Sequence, residues 1–134
     1  MQIKINLQNH QRLVKLTKTD EFSSVFSFRK RVSAHFLVFH YQPNQLKFCR
    51  LGLVVSKKVA KRAIDRNYMR RVLRELYRQQ ASTQISVDLV IRVQNAFASQ
   101  NFSQVTQEFE GLMVKLQKKL HLLASVSVKT GDEK

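Results

Sequence analysis

Apolar residues along the chain change period several times, and each change marks an element. Phe22, Val25 and Phe26 lie three and four apart behind Thr17 and Asp20, which predicts a short helix ending near Arg29. Ala34 to Tyr41 alternates imperfectly, interrupted by His35 and His40, and Pro43-Asn44 marks a turn before Leu46 to Ser56 continues as a second extended segment. The two segments read as an antiparallel hairpin. From about Arg62 to Gln80 the helical period returns, with Met69, Val72, Leu73, Leu76 and Tyr77 on one apolar face. ISVDLVIRV, from Ile85 to Val93, places Val87, Leu89, Ile91 and Val93 on one side of a further long strand. Asn101 and Gln104 have the spacing of a helix start. Phe102, Val105, Phe109, Leu112, Met113, Leu116, Leu120 and Leu123 then recur at the spacing of a long final helix.

The order helix, hairpin, helix, strand, helix implies one sheet with helices against it, an α+β fold in a single domain spanning residues 1–134. Met1 to roughly Val14 has no persistent period, and Ser125 to Lys134 is small and polar. An ordered core of about 12–123 is expected, with residues 1–11 and 125–134 as mobile tails. No apolar stretch approaches the roughly 20 residues a membrane helix needs, and the start has no apolar block leading to a small-residue cleavage site. The single Cys49 cannot form an internal disulfide, which fits a reducing cytoplasm.

Charge changes the picture most. The chain has 24 Lys and Arg against 9 Asp and Glu, a formal net charge of +15. Nine of those 24 cations, Lys57, Lys58, Lys61, Arg62, Arg66, Arg70, Arg71, Arg74 and Arg78, lie in one segment whose acids are Asp65 and Glu75. On a helix Arg66, Arg70, Arg74 and Arg78 form a slowly winding stripe along about 18 Å, above an apolar face that can seat it on a core. A guanidinium fork takes two phosphate oxygens at once and stacks on bases, so the stripe points to a polyanion, nucleic acid above all. A solvated helix face is the bland alternative, but such faces usually mix signs along their length.

Enzyme chemistry is hard to find. The acids sit at helix starts, among arginines, in a strand or on the last helix, where capping and solubility account for them. His35 and His40, five apart on a strand, face opposite sides, and no cysteine or Cys/His set has metal-ligand spacing. Cys49 has apolar neighbours and reads as a small core residue. No glycine-rich phosphate loop is present. The expectation is therefore no catalytic side chain and no protein-bound metal. The aromatics offer something else: Phe22 and Phe26 share one face of the first helix, Phe36, Phe39 and Tyr41 come from the following strand, and rings beside basic surface are what unpaired bases stack on.

The segment Ser56-Lys57-Lys58-Val59-Ala60-Lys61-Arg62-Ala63-Ile64-Asp65-Arg66-Asn67-Tyr68-Met69-Arg70-Arg71-Val72-Leu73-Arg74-Glu75 resembles the signature of the protein component of bacterial ribonuclease P. Leu16 to Phe26 is similar to that family's opening helix, Leu51 to Ser56 to its strand before the signature, and Asp88 to Arg92 to its later strand. The likeness spans roughly Arg12 to Leu120. It implies one mixed sheet carrying helices, with the signature helix in a left-handed βαβ crossover, against the usual handedness. It also implies that the catalyst is an RNA partner, ribonuclease P RNA. Magnesium ions bound by that RNA activate water to cut the 5′ leader from precursor tRNA, and the protein assists. Carried over residue by residue, Lys57, Lys58, Lys61, Arg62, Arg66, Asn67, Arg70, Arg71 and Arg74 would meet the RNA subunit. Phe22, Phe26 and Phe39 would line a cleft, between the first helix and the sheet, for the single-stranded leader.

One position departs from the family pattern, whose Arg-Asn-Arg core stands here as Arg66-Asn67-Tyr68. Tyrosine can stack on a base or donate its hydroxyl, so RNA contact can persist here without the ion pair that a second arginine would make. Two other classes compete: a ribosomal or RNA-chaperone protein without a processing role, and a DNA-binding regulator. The arginine helix lacks a preceding helix-turn partner and carries little base-reading variety, so no DNA partner is expected. A membrane-surface helix is weaker still, because its apolar face serves the core, and no membrane partner is expected.

Overall fold

The computed structural model of the protein describes residues 14–80 and 86–132. The expected tail at 1–11, Ile85 at the start of the late strand, and residues 133–134 lie outside that range. In chain order the elements are β1 (Val14–Lys15), α1 (Thr19–Phe28), β2 (Lys30–Ser33), β3 (Leu37–Pro43), β4 (Arg50–Val54), α2 (Ala63–Gln79), β5 (Val87–Val93), a short 3-10 turn (Ser99–Asn101) and α3 (Phe102–Asp132). The strands form one mixed sheet in the order β1-β4-β5-β3-β2.

Each helix starts and stops for a local reason. The Glu21 carboxylate accepts the backbone N–H of Thr17 at 2.9 Å and of Lys18 at 3.1 Å, so the helix cap is Lys18 and α1 begins at Thr19, one residue later than a cap at Thr17 suggested. Arg29 ends the helix in the left-handed region, φ 64°, its N–H donating to Phe26 O, and so delivers the chain at once into β2. The 3-10 turn is closed by Asn101, whose side-chain oxygen accepts the Ala98 N–H at 3.0 Å. α3 then runs to Asp132, past Leu123 where the apolar repeat ends, so the expected tail from residue 125 has a helical backbone through Asp132.

The hairpin expected between the Ala34–Tyr41 and Leu46–Ser56 segments does not form. β3 pairs antiparallel with β2, Phe39 opposite Val32, and β5 separates β3 from β4. The reason lies in β5: Val87 through Ile91 are all buried, so this strand needs partners on both edges and cover on both faces. It takes β3 antiparallel and β4 parallel, Leu51 opposite Leu89, with α2 as the crossover between the parallel pair. β2 and β1 extend the two sides; neither has enough apolar alternation to be read as a strand in advance.

Two apolar clusters result, one on each face. The larger holds Leu37, Phe39, Tyr41, Leu89 and Ile91 under Met69, Leu73 and Leu76 of α2 and Val105, Phe109, Leu112 and Leu116 of α3. The smaller has Val25 of α1 over Val90, with Leu16 beside them. α3 is also tied to the sheet through Glu108, whose carboxylate accepts the N–H groups of Phe36 and Leu37, both at 2.7 Å. α1 thus lies alone on the face opposite α2 and α3.

Candidate nucleic-acid interface

The basic segment divides into a loop and a helix with different duties. Ser56 starts a turn in which its carbonyl accepts the N–H of Val59 at 3.1 Å and of Ala60 at 3.2 Å, leaving Lys57 and Lys58 exposed at the tip. Arg66 holds the far end of this loop: its Nη1 donates to Ala60 O at 2.9 Å and Lys61 O at 2.8 Å. A guanidinium here replaces the backbone partners a loop lacks, so Arg66 shapes the surface as well as charging it. α2 has no side-chain cap, and Asp65 in its first turn suits the positive helix end. The first N–H groups of α2 therefore open onto the lysine-rich loop, favourable ground for a phosphate.

Along α2, Met69, Val72, Leu73 and Leu76 are buried, as the period predicted, so the charged side is fixed to a packed core. Of the nine cations between residues 57 and 78, Arg62 pairs with Asp65 at 2.9 Å and Arg78 approaches Glu75 at 3.6 Å. The other seven have no carboxylate partner among the described residues. Arg70 donates to the Asn67 side-chain oxygen at 3.1 Å, and the Arg71 guanidinium lies 5.9 Å from the centre of the Tyr68 ring. Tyr68 itself is half-buried, edge-on to Phe97 at 6.3 Å. The ring therefore belongs partly to the core and supports Arg71.

Arg70 and Arg74 lean toward the sheet edge, and there the two faces of the molecule meet. β1 covers β4 only as far as Leu51, with Leu16 N–H on Leu51 O at 2.9 Å, and beyond it no strand among the described residues covers the edge of β4. The notch is a cavity of about 170 Å³ lined by Lys15, Leu16, Phe22, Gly52, Arg70 and Arg74 among others. Phe22 of the opposite face thus sits within reach of the arginine helix.

The α1 face contains a second positive groove, at the place expected for a cleft with Phe26, whose arginines and histidine the sequence reading did not identify. Phe26, 37% exposed, packs edge-on to the His40 imidazole at 4.8 Å, and Arg29 and Arg31 complete an open cavity of about 480 Å³. His40 lies between Arg31 on β2 and Val90 on β5, and Arg92 Nε donates to its Nε2 at 3.2 Å. Burial, then Arg92 and Arg31, push the imidazole down to about 4, so it is neutral at physiological pH and accepts. His35, expected on the same strand, lies in the turn before β3.

Phe39 is a correction. It is fully buried on the α2 and α3 side, edge-on to Phe109 at 5.3 Å, and cannot line a cleft under α1. Strict alternation from Phe39 puts His40, and Arg92 through the register, on the face α1 covers. What the pattern lacked was which face that would be, because both sides of β3 are apolar. Cys49 is half-buried, its Sγ 3.7 Å from Arg50 O, and burial raises the thiol to about 11, which disfavours the thiolate. Among the described residues no group of three or more His, Cys, Asp or Glu is placed to hold a metal ion, and no helix is long and apolar enough to cross a membrane.

Comparison with known proteins gives the family. A family model described as Ribonuclease P matches residues 10–117. The ribonuclease P protein component of Chromobacterium violaceum is 43% identical over 106 residues, covering 79% of this chain and 88% of that protein. The one from Caldanaerobacter subterraneus is 35% identical over 106 residues, 78% of this chain and 90% of its own length. Among solved structures, the ribonuclease P protein of Staphylococcus aureus, in a mutant form described as defective in mRNA degradation activity, superposes with a TM-score of 0.67 at 21% identity, covering 77% of this chain and 87% of that one. The Thermotoga maritima protein gives 0.59 at 21%, over 78% and 96%. At such identities the structures establish the fold alone.

Proposed function

Because this chain belongs to the family of the ribonuclease P protein component, we propose that it is the cytoplasmic protein subunit of a bacterial-type ribonuclease P and works on precursor tRNA. It binds the catalytic RNA through the loop and helix from Lys57 to Arg74. It holds the 5′ leader in the groove between α1 and the sheet. The RNA, with its magnesium ions, supplies the chemistry; the protein supplies positive charge and a stacking surface where leader and RNA subunit meet.

The observation that carries this reading is the set of seven unneutralised cations on an anchored helix and its preceding loop, open at one edge to Phe22. Free lysines and arginines on a rigid frame lose little order on binding a phosphate backbone, and each phosphate contact releases a counterion. The groove under α1 suits a single strand. Phe22 and Phe26 offer ring surface, Arg29 and Arg31 offer phosphate contacts, and neutral His40, whose Nε2 already accepts from Arg92, has its Nδ1–H to donate. Phe39 has no part in it.

The deciding experiment is cleavage of a precursor tRNA with a 5′ leader by a bacterial ribonuclease P RNA at low magnesium, with and without the protein. Stimulation with the cut at the mature 5′ end is expected. Tight RNA binding with no stimulation at any magnesium concentration would overturn the proposal in favour of a ribosomal-type role. With about six phosphate contacts, binding should also fall with salt at a log-log slope near −4 to −5.

A further inference from the structure

α1 rests on the sheet through few apolar groups. Val25 is its one buried side chain, and Phe22 and Phe26 on either side are partly exposed. Such a short helix, 10 residues with one deep anchor, can rotate about that anchor unless something else fixes its direction.

That something is a polar clasp at one end. Arg50 on β4 lies beside Asp88 on β5 in the register of the parallel pair. Its Nε and Nη2 take both oxygens of Asp88, at 2.9 and 2.7 Å, and its Nη1 reaches up to Glu21 of α1 at 2.9 Å. Asp88 is further held by the Asn44 amide at 2.7 Å. The second oxygen of Glu21 is the one that accepts the Thr17 and Lys18 N–H groups. One carboxylate therefore closes the helix start and ties it to the sheet. Next in line, Phe22 lies over Gly52, two residues after Arg50, with so little room that a Cβ on Gly52 would come within 2.5 Å of the ring. Ser24 Oγ donates to Gln42 at 2.8 Å, and Phe26 meets His40.

A cluster of this kind contributes little net stability, because desolvating the charges offsets most of their attraction. What a bidentate fork does impose is direction. We propose that Arg50 is a positioning residue for the leader groove: through Asp88 and Glu21 it sets the angle of α1 on the sheet, and with it the distance from Phe22 and Phe26 to the arginines of the groove. It touches no RNA itself. Its effect falls on the discrimination between precursor and mature tRNA. This inference rests on the leader reading of the α1 face.

The test uses holoenzyme reconstituted with ribonuclease P RNA. Arg50→Gln breaks both arms; because it leaves Asp88 without its cation and can fail to fold, Glu21→Gln is the second variant, which can still cap α1 but removes the ionic tie. For Glu21→Gln, affinity for the RNA subunit and for mature tRNA should be unchanged. KM for leader-bearing precursor should rise about five- to tenfold at unchanged kcat, the lower range for one misplaced stacking contact. Arg50→Lys should restore part of the loss seen in Arg50→Gln. The NMR signals of the His40 ring, which reports on Phe26, should shift in step. If Phe22→Ala and Phe26→Ala lower discrimination while Glu21→Gln does not, the positioning role is wrong and the leader reading stands. If none of the three lowers it, the leader reading fails and takes this inference with it.

Discussion

Replacing Gly52 by alanine tests the seating of α1 with a single methyl group. A Cβ built on Gly52 meets Phe22 Cε2 at 2.5 Å and Cζ at 2.7 Å, with Leu16 Cδ1 at 3.3 Å. Ordinary carbon contacts lie at roughly 3.5–4.0 Å, so the ring must retreat by about 1 Å or more. Phe22 sits next to Glu21 in the clasp and three residues from Val25, which is fully buried, so α1 cannot slide aside without loosening both. The ring can turn toward the notch beside Arg70 and Arg74, whose cavity of about 170 Å³ has space for part of it. Overpacking of this sort costs typically 1–3 kcal/mol, and the adjacent space places Gly52→Ala toward the lower end, about 1–2 kcal/mol. Urea denaturation followed by circular dichroism reads that as a lower midpoint at unchanged slope, and a thermal scan as a melting temperature lower by several degrees. Discrimination between precursor and mature tRNA should fall as well, since the displaced ring belongs to the groove. A midpoint shift below about 0.5 kcal/mol would refute the reasoning, because it would mean that Phe22 yields without resistance and the close fit on Gly52 seats nothing.

Phe39→Ala, which empties a fully buried site against Phe109, should cost about 3–5 kcal/mol in urea denaturation, and the milder Phe39→Leu should leave leader discrimination intact; a specific loss of discrimination at unchanged stability would reinstate Phe39 as a cleft residue. His40 is held near 4 in the folded chain against 6.5 ordinarily, so the unfolded chain takes the proton first as pH falls. Its contribution is complete above about pH 6.5 and declines toward pH 4, by about 1–2 kcal/mol between pH 7.5 and 5 after allowance for solvent screening; His40→Gln should flatten that stretch of a stability-against-pH curve. Glu21 is held below the usual carboxylate range by the Lys18 and Thr17 N–H groups, then Arg50; Asp88, despite burial pulling it upward, is held low by Arg50 and Asn44. Their contribution is present above the ordinary carboxylate pKa and is lost only as pH falls below it, so Asp88→Asn should remove a separate, more acidic limb of the same curve. Arg71→Ala, which removes one exposed unpaired cation, should weaken RNA-subunit binding and reduce the salt slope by about 1, and an unchanged slope would mean Arg71 meets no phosphate.

The parts of the molecule legible in advance were those where a local pattern has only one physical solution. α2 is one: Met69, Val72, Leu73 and Leu76 repeat at 3.6, and their burial holds the arginines outward whatever else packs nearby. The charge surplus is another, because nine acids cannot neutralise 24 cations in any arrangement. The family signature fell within this same stretch, so the basic surface proposed for RNA was visible from the residues alone.

Pairing and sidedness were decided by the tertiary structure. Leu37 to Tyr41 is buried on both faces, so its alternation could not say that Phe39 faces α3 while His40 faces α1. The adjacent segments around the Pro43 turn looked like a hairpin, yet β5, buried throughout from Val87 to Ile91, gains more by entering between them than by lying at an edge. Arg29 and Arg31 are near neighbours in the chain but Arg92 is far from them, and only the sheet register gathers Arg31 and Arg92 around His40. The same holds for Glu21, Arg50 and Asp88, each unremarkable in sequence and joined into one clasp by neighbouring strands and the helix above them. Periodicity and charge are properties of a segment and survive in the sequence; which face a side chain meets, and which distant cation stands beside it, depends on strand order, and that is set by how every buried surface in the chain finds cover at once.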